Sequence, residues 1–208
     1  MSAATEALAR LREGNERFAR GSLEVAPEAS GAERRHALRE GQSPFAVILG
    51  CSDSRVPAEL VFDQGLGDLF VIRVAGNVVA PSQVGSVEFA AERFGTRLVV
   101  VLGHSRCGAV QATLDELTRP AGAGSPNLRA IVERIRPAVE GLLETDLAAD
   151  PERLTQAAVR ANVRASADHL RHGSAILERL IADEGLLVVG AEYSLDTGLV
   201  DFFDGVPD

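Results

Sequence analysis

Two short stretches hold the residues best equipped for chemistry. Cys51, Asp53 and Arg55 fall within "GCSDSR" (50–55), and His104 and Cys107 within "GHSRCG" (103–108). A thiol, a carboxylate and a guanidinium this close together suit a nucleophile, a metal ligand or simply a small buried side chain. Cys51 and Cys107 are the two cysteines of the chain. In a reducing compartment a disulfide is disfavoured, and a metal or catalytic role gains weight. Two buried small hydrophobes is the plainer alternative.

What positions them is legible from the apolar runs. "PFAVILG" (44–50), "DLFVIRVAG" (68–76) and "RLVVVLGH" (97–104) are near-continuous and of strand length. Runs without alternation predict strands buried on both faces, hence a parallel sheet. Helical signals lie between and after them. "VPAELVFDQG" opens with Pro57 in a first-turn position. "PSQVGSVEFAAERFG" has Ser82 as a cap and Gly95 as a stop, and "CGAVQATLDELT" is a helix. "RPAGAGSPN" (119–127) reads as a loop. "LRAIVERIRPAVEGLLE" is a helix that Pro137 should kink or interrupt, and 151–185 is mostly helix, broken near Gly173. Upstream, 5–20 is an amphipathic helix with Leu8, Leu11 and Phe18 on one side. A short helix over 32–40 carries a Ser30–Glu33 capping box and a stop at Gly41. "LLVVGAEYSL" and "GLVDFF", joined by "DTG", read as a terminal hairpin. The expected fold is α/β: about four parallel strands plus an antiparallel edge strand, flanked by helices. One domain is expected over 1–208. It divides into an N-terminal helical arm (1–41), a catalytic βα core (42–118), a helical insert (119–184) and C-terminal strands (185–208).

In open parallel sheets ligands gather beyond the carboxyl ends of strands. Three polar clusters end strands here, "CSDSR", "RVAGN" and "GHSRCG". Two thiolates and an imidazole suit Zn²⁺. His104 and Cys107 are three apart at a strand-to-helix turn, so one turn aims both inward, and the following helix favours the Cys107 thiolate. Three protein ligands leave a tetrahedral ion one open position, the mark of a catalytic site. Two thiolates also cancel the ion's charge, so such a centre acidifies water less than a three-histidine site and needs help. Arg55 is placed to grip the Asp53 carboxylate with two charge-assisted bonds. Asp53, so held, is placed to accept a proton beside the metal. If Arg55 lets go, Asp53 is free to fill the fourth position itself; the sequence permits either.

Composition removes other classes. The net charge is −9, which gives nucleic-acid binding little electrostatic support. All 21 basic residues are Arg, which removes lysine Schiff-base chemistry and the Walker lysine. No apolar run approaches the roughly 20 residues of a membrane span. The N-terminus lacks the basic start and apolar stretch of a secretory signal. A cytoplasmic protein with no nucleic-acid or membrane partner is expected.

"CSDSRVP", "GDLFVIRVAGN", "GSVEFA", "GHSRCGAV" and "GAEYSLDTGLVDFF" together resemble the β-class carbonic anhydrases. The resemblance covers nearly the whole chain, most densely 42–113, and is least distinctive over 119–150. It implies that Cys51, His104 and Cys107 bind one Zn²⁺ per subunit and that Asp53 and Arg55 are the catalytic dyad. The implied reaction is reversible hydration of CO₂ to bicarbonate and a proton by zinc-bound hydroxide. The implied assembly is a homodimer or homotetramer with sites at subunit interfaces and N-terminal helices embracing the partner. The Leu8, Leu11 and Phe18 face suits such an embrace or packing on the chain's own core. Gln42 matches a glutamine that bonds substrate from the neighbouring subunit, with a plain turn residue as the alternative. Phe70, Ala75 and Phe89 match positions lining the CO₂ pocket; Phe89 stands where plant members have Tyr, so a hydroxyl is lost. A regulated subtype binds bicarbonate through Trp, Arg and Tyr. Arg73 and Tyr193 stand at comparable places, but Ile48 takes the Trp position, which points to the constitutively open subtype.

His36, His169 and His172 are imaginable proton shuttles but read as solvated, as does "ERRHALRE". Three rivals remain. Relatives hydrolyse CS₂ or COS with the same nucleophile. A metal-free Cys51 nucleophile with Arg55 as anion binder lacks the longer Cys-to-Arg spacing that wraps a phosphate. A non-catalytic zinc module has no use for the Asp53–Arg55 pair.

Overall fold

The computed structural model describes residues 2–25, 31–119 and 125–207. Its frame is a five-stranded sheet in the order β2-β1-β3-β4-β5. β1 is Ala46–Gly50, β2 Leu69–Arg73, β3 Leu98–His104, β4 Leu187–Tyr193 and β5 Val200–Asp204. β1 to β4 are parallel and β5 is antiparallel to β4, as the apolar runs predict. Because side chains alternate across a strand, β1 sends Ala46 and Ile48 to one face and Val47 and Leu49 to the other. Both faces are covered, which is why the sequence shows no polar alternation.

On the first face lie α1 (Ala3–Ala19) and α3 (Ala58–Val61), with Leu8, Leu11, Val61 and Phe62 in the core beside Ile48 and Val100. The apolar side of α1 is therefore satisfied within the chain; Phe18 adds a ring contact to Tyr193 at 6.3 Å. α2 (Ala32–Ala37), in contrast, buries none of its residues. The second face carries α4 (Pro81–Arg93), α7 (Pro151–His172) and α8 (Ala175–Glu184). α7 lies unusually close to the sheet. A Cβ added to Gly103 or Gly190 would meet Val163 at 2.5 or 2.8 Å, so both strands need glycine where the helix crosses. α5 (Gly108–Thr118), α6 (Pro126–Val139) and α7 build a third cluster over the ends of β1 and β3, and Cys51 and Cys107 belong to it.

Several local expectations need correction. α2 starts from Gly31 with no side-chain cap; Ser30 lies outside the described residues, and the helix stops at Ala37 rather than Glu40. Ser82 does not cap α4. Ala80 holds that position in extended backbone and Pro81 takes the first turn, where its fixed φ fits and its missing N–H costs nothing. Pro57 is likewise the cap of α3 rather than its first residue. Pro137 stays inside α6, but the helix ends at Val139 and tightens into a 3-10 turn over Glu140–Glu144. Most of the 119–127 loop lies outside the described residues; Ser125 caps α6 through the Leu128 N–H. The break at Gly173 and the turn joining β4 to β5 occur where expected.

Candidate metal centre

β1 sits between β2 and β3, so the segments following these three strands converge at one sheet edge. Cys51 Sγ, a His104 ring nitrogen and Cys107 Sγ all lie within 4.8 Å of one another, and all three residues are buried. Cys51 directly follows β1, His104 ends β3, and Cys107 caps α5. Arg106, between the last two, takes a left-handed φ of 56°. This sharp turn brings residues three apart to the same point.

The histidine is oriented for a cation. His104 Nδ1 bonds the Ser105 carbonyl at 2.9 Å, which fixes its proton there and leaves Nε2 as the lone-pair donor. Nε2 is buried without a hydrogen-bond partner, and an orphaned polar atom at zero exposure is costly unless something binds it. Ser105 is itself pinned, its N–H on the Tyr193 carbonyl and its Oγ accepting from the Leu195 N–H, both at 2.9 Å. The two thiols compete for one proton. The hydrogen bond from Cys107 is the largest cause lowering the Cys51 pKa. The same bond, with burial, raises that of Cys107, while the N–H groups of Val110 and Ala109 at the start of α5 act to lower it. A soft divalent cation removes this conflict by stabilising both thiolates. The donor set and the orphaned nitrogen therefore fit zinc.

Asp53 borders the cluster, its Oδ2 3.9 Å from His104 Nε2. Arg55 holds it with two parallel bonds, Nε to Oδ1 at 2.9 Å and Nη2 to Oδ2 at 2.7 Å, and the Arg55 backbone N–H adds a third at 3.0 Å. These bonds, opposed by partial burial, hold the Asp53 pKa well below the usual carboxylate range. The carboxylate is thus engaged by its arginine, with the Arg55 fork taken up by Asp53.

Of the other sequence candidates, Ala75 lies in a 3-10 turn, Ala75–Asn77, beside the cluster. Phe70 and Phe89 lie elsewhere. With Phe94 they form an aromatic group with centroids 5.5–6.3 Å apart, and Phe89 is 53% exposed. Gln42 is exposed, as are His36, His169 and His172. Ile48 and Tyr193 are buried core residues. Arg73 has a use the sequence did not suggest: its guanidinium bonds the carbonyls of Cys51 at 3.0 Å and Asp53 at 2.6 Å, clamping the loop after β1. The N–H of Gly76, donated to Cys51 Sγ at 3.3 Å, was also out of reach, since a backbone donor leaves no residue-type signal.

The carbonic anhydrase family model matches residues 46–200. Carbonic anhydrase 2 of Mycobacterium tuberculosis is 43% identical over 196 residues, spanning 90% of this chain and 87% of that protein. The solved β-carbonic anhydrase CcaA superposes with a TM-score of 0.76 at 25% identity, covering 95% of each chain. The chain belongs to the β-carbonic anhydrases. A carbonic anhydrase of Mycolicibacterium smegmatis is 39% identical over 92% of this chain and 89% of its own length. A tetrameric β-carbonic anhydrase of Sordaria macrospora superposes with a TM-score of 0.73 at 25% identity, over 81% of this chain and 85% of that one. Among the described residues of this β-carbonic anhydrase, no helix is long and apolar enough to cross a membrane.

Proposed function

We propose that this chain is a zinc-dependent carbonic anhydrase that reversibly hydrates CO₂ to bicarbonate and a proton. The carrying observation is the meeting of two thiols and an imidazole nitrogen within 4.8 Å, with the buried Nε2 of that imidazole left without a hydrogen-bond partner and an arginine-held carboxylate beside them. Cys51, His104 and Cys107 would hold one Zn²⁺. When bound, the ion supplies Lewis acidity that eases loss of a proton from water near neutral pH.

The rest is the work of the chain. Arg55 keeps Asp53 ionised and fixed. Asp53 Oδ2 accepts the hydrogen of the attacking oxygen and so directs a lone pair at the carbon of CO₂. Preorganisation matters because the acceptor does not have to be found during the reaction. The engagement of Asp53 by Arg55 supports the constitutively open subtype. Arg73, committed to the ligand loop, is also less available for a regulatory anion. Gln42, Phe70, Ala75 and Phe89 are the proposed substrate-facing residues. Since Phe70 and Phe89 are grouped away from the chain's own cluster, and Phe89 is largely exposed, a second copy is the natural means of bringing them to a site. A homodimer or homotetramer is therefore part of the proposal, and the tetrameric relative supports it.

Stopped-flow CO₂ hydration with metal analysis tests this reading. Wild type is expected to carry one zinc per chain and to hydrate CO₂, and Asp53→Ala to keep the zinc and lose the rate. Zinc-loaded wild type that hydrates CO₂ only at background, while hydrolysing COS or CS₂, overturns the substrate assignment.

A further inference from the structure

The region 119–184 offers no catalytic motif, yet its longest helix reaches the back of the metal centre. Asn162 and Ser166 lie one turn apart on α7, so they share a face, and both are buried. Asn162 Nδ2 donates to the Gly76 carbonyl at 2.8 Å, and Ser166 Oγ donates to the Asn77 carbonyl at 3.1 Å. These carbonyls belong to a turn in which two consecutive residues are left-handed, Gly76 at φ 71° and Asn77 at φ 44°. Asparagine tolerates this region better than most non-glycine residues but still at some cost, which contacts to the turn offset. Side-chain space at Gly76 is also closed, since an added Cβ would meet Ile135 Cδ1 at 2.8 Å and Ala109 Cβ at 3.0 Å. The product of this conformation is one N–H, that of Gly76, aimed at Cys51 Sγ.

We infer that Asn162 and Ser166 are positioning residues for the metal centre: they hold the Gly76–Asn77 turn so that the Gly76 N–H stays on the Cys51 sulfur. This rests on the zinc reading above. An N–H···S bond draws electron density from a thiolate and weakens its donation to a cation. In a site whose two thiolates already cancel the ion's charge, that withdrawal preserves Lewis acidity. The same bond fixes where the sulfur points. Without its α7 donors the turn loses both side-chain restraints and relaxes from the left-handed region, carrying the N–H away from Sγ.

The test uses the whole 208-residue chain, loaded with Co²⁺ for spectroscopy and with Zn²⁺ for chelator competition. Asn162→Ala is expected to move the sulfur-to-cobalt charge-transfer band and, because the lost aim of the sulfur outweighs its stronger donation, to weaken zinc binding about tenfold. Ser166→Ala should move both in the same direction by less. If Asn162→Ala yields no folded protein, Ser166→Ala carries the test alone. Leu170→Ala is the control. It lies on the same helix and is fully buried, but its core is on the sheet face with α4 and α8. It should lower thermal stability and leave the band and the zinc affinity alone. Wild-type band and affinity in Asn162→Ala and Ser166→Ala overturn the inference, as does an equal shift in Leu170→Ala. Wild type that takes up neither metal overturns the zinc reading and this inference together, an outcome distinct from the other two.

Discussion

Asp53 and Asp63 are both gripped by arginine, with opposite consequences. Asp53 takes its partner from two residues away, and the Arg55 side chain is 52% exposed. Asp63 takes its donors from far along the chain: Arg17 Nε at 2.6 Å and the N–H groups of Glu24 and Val25 at 3.0 and 3.1 Å. Its side chain is 1% exposed, and it sits at a left-handed φ of 49° just beyond α3. The first pair joins neighbours, with only one long reach further, from Arg55 Nη2 to the Arg106 carbonyl at 3.5 Å. The second ties the end of α1 and the segment after it to α3. An ion pair with one exposed arm contributes little to stability, whereas losing one side of a buried pair is costly. The same two residue types thus make a local pair beside the cysteine–histidine group in one place and an architectural tie in the other. Sequence separation and burial decide which.

The widest contrast comes from removing each carboxylate. Asp53→Asn is expected to lower kcat for CO₂ hydration by about 10²–10⁴-fold, the range of general acid–base assistance. Its zinc content and melting temperature should stay close to wild type. Asp63→Ala should do the reverse, with activity per folded, zinc-loaded chain within about twofold of wild type. Stability should fall by about 3 kcal/mol, the low end for a broken buried pair because Arg17 keeps some access to water. For a chain of this length that is a drop in Tm of roughly 6–12 °C. Calorimetry beside stopped-flow rates checks both. A large Tm loss in Asp53→Asn, or a large rate loss in Asp63→Ala, breaks the contrast.

Arg55→Lys sharpens it. Lysine keeps the charge but not the planar fork, so the two bonds to Asp53 become at most one. The carboxylate is then less restrained, and kcat should fall by about tenfold with zinc retained. If Asp53 moves onto the metal once released, the cobalt-substituted variant will show a changed visible spectrum while wild type does not.

This difference also marks what was legible in the sequence. The Asp53–Arg55 pair and the cysteine–histidine group could be read because their members lie at the ends of recognisable strands or within a few residues of each other. The parallel sheet was legible because residues buried on both faces leave continuous apolar runs. Asp63–Arg17 and Asn162–Gly76 were not legible. They join polar groups 46 and 86 positions apart, and a polar contact across that separation leaves no periodicity and no motif. The misplaced caps have a simpler origin. Ser82 and Pro81 are adjacent, and each suits a helix start; the fixed φ of proline decided which position each took.

The smallest effect expected is in pH. Burial works against ionisation of Asp63, but the bonds from Arg17, Glu24 and Val25 outweigh it, so its pKa is lowered on folding. A group whose pKa falls on folding stabilises the native state fully above its unfolded value, about 3.9 for aspartate. That contribution is lost as pH falls through the folded value. The stability difference between wild type and Asp63→Asn should therefore stay constant from pH 8 to about pH 5. It should shrink only below about pH 4, where protonation begins to remove from wild type the negative charge that the amide already lacks. Denaturant midpoints measured across that range in the presence of excess zinc give the curve. A difference that narrows between pH 7 and pH 5 would mean that Asp63 titrates with a raised pKa, and that burial, not the three donors, governs this tie.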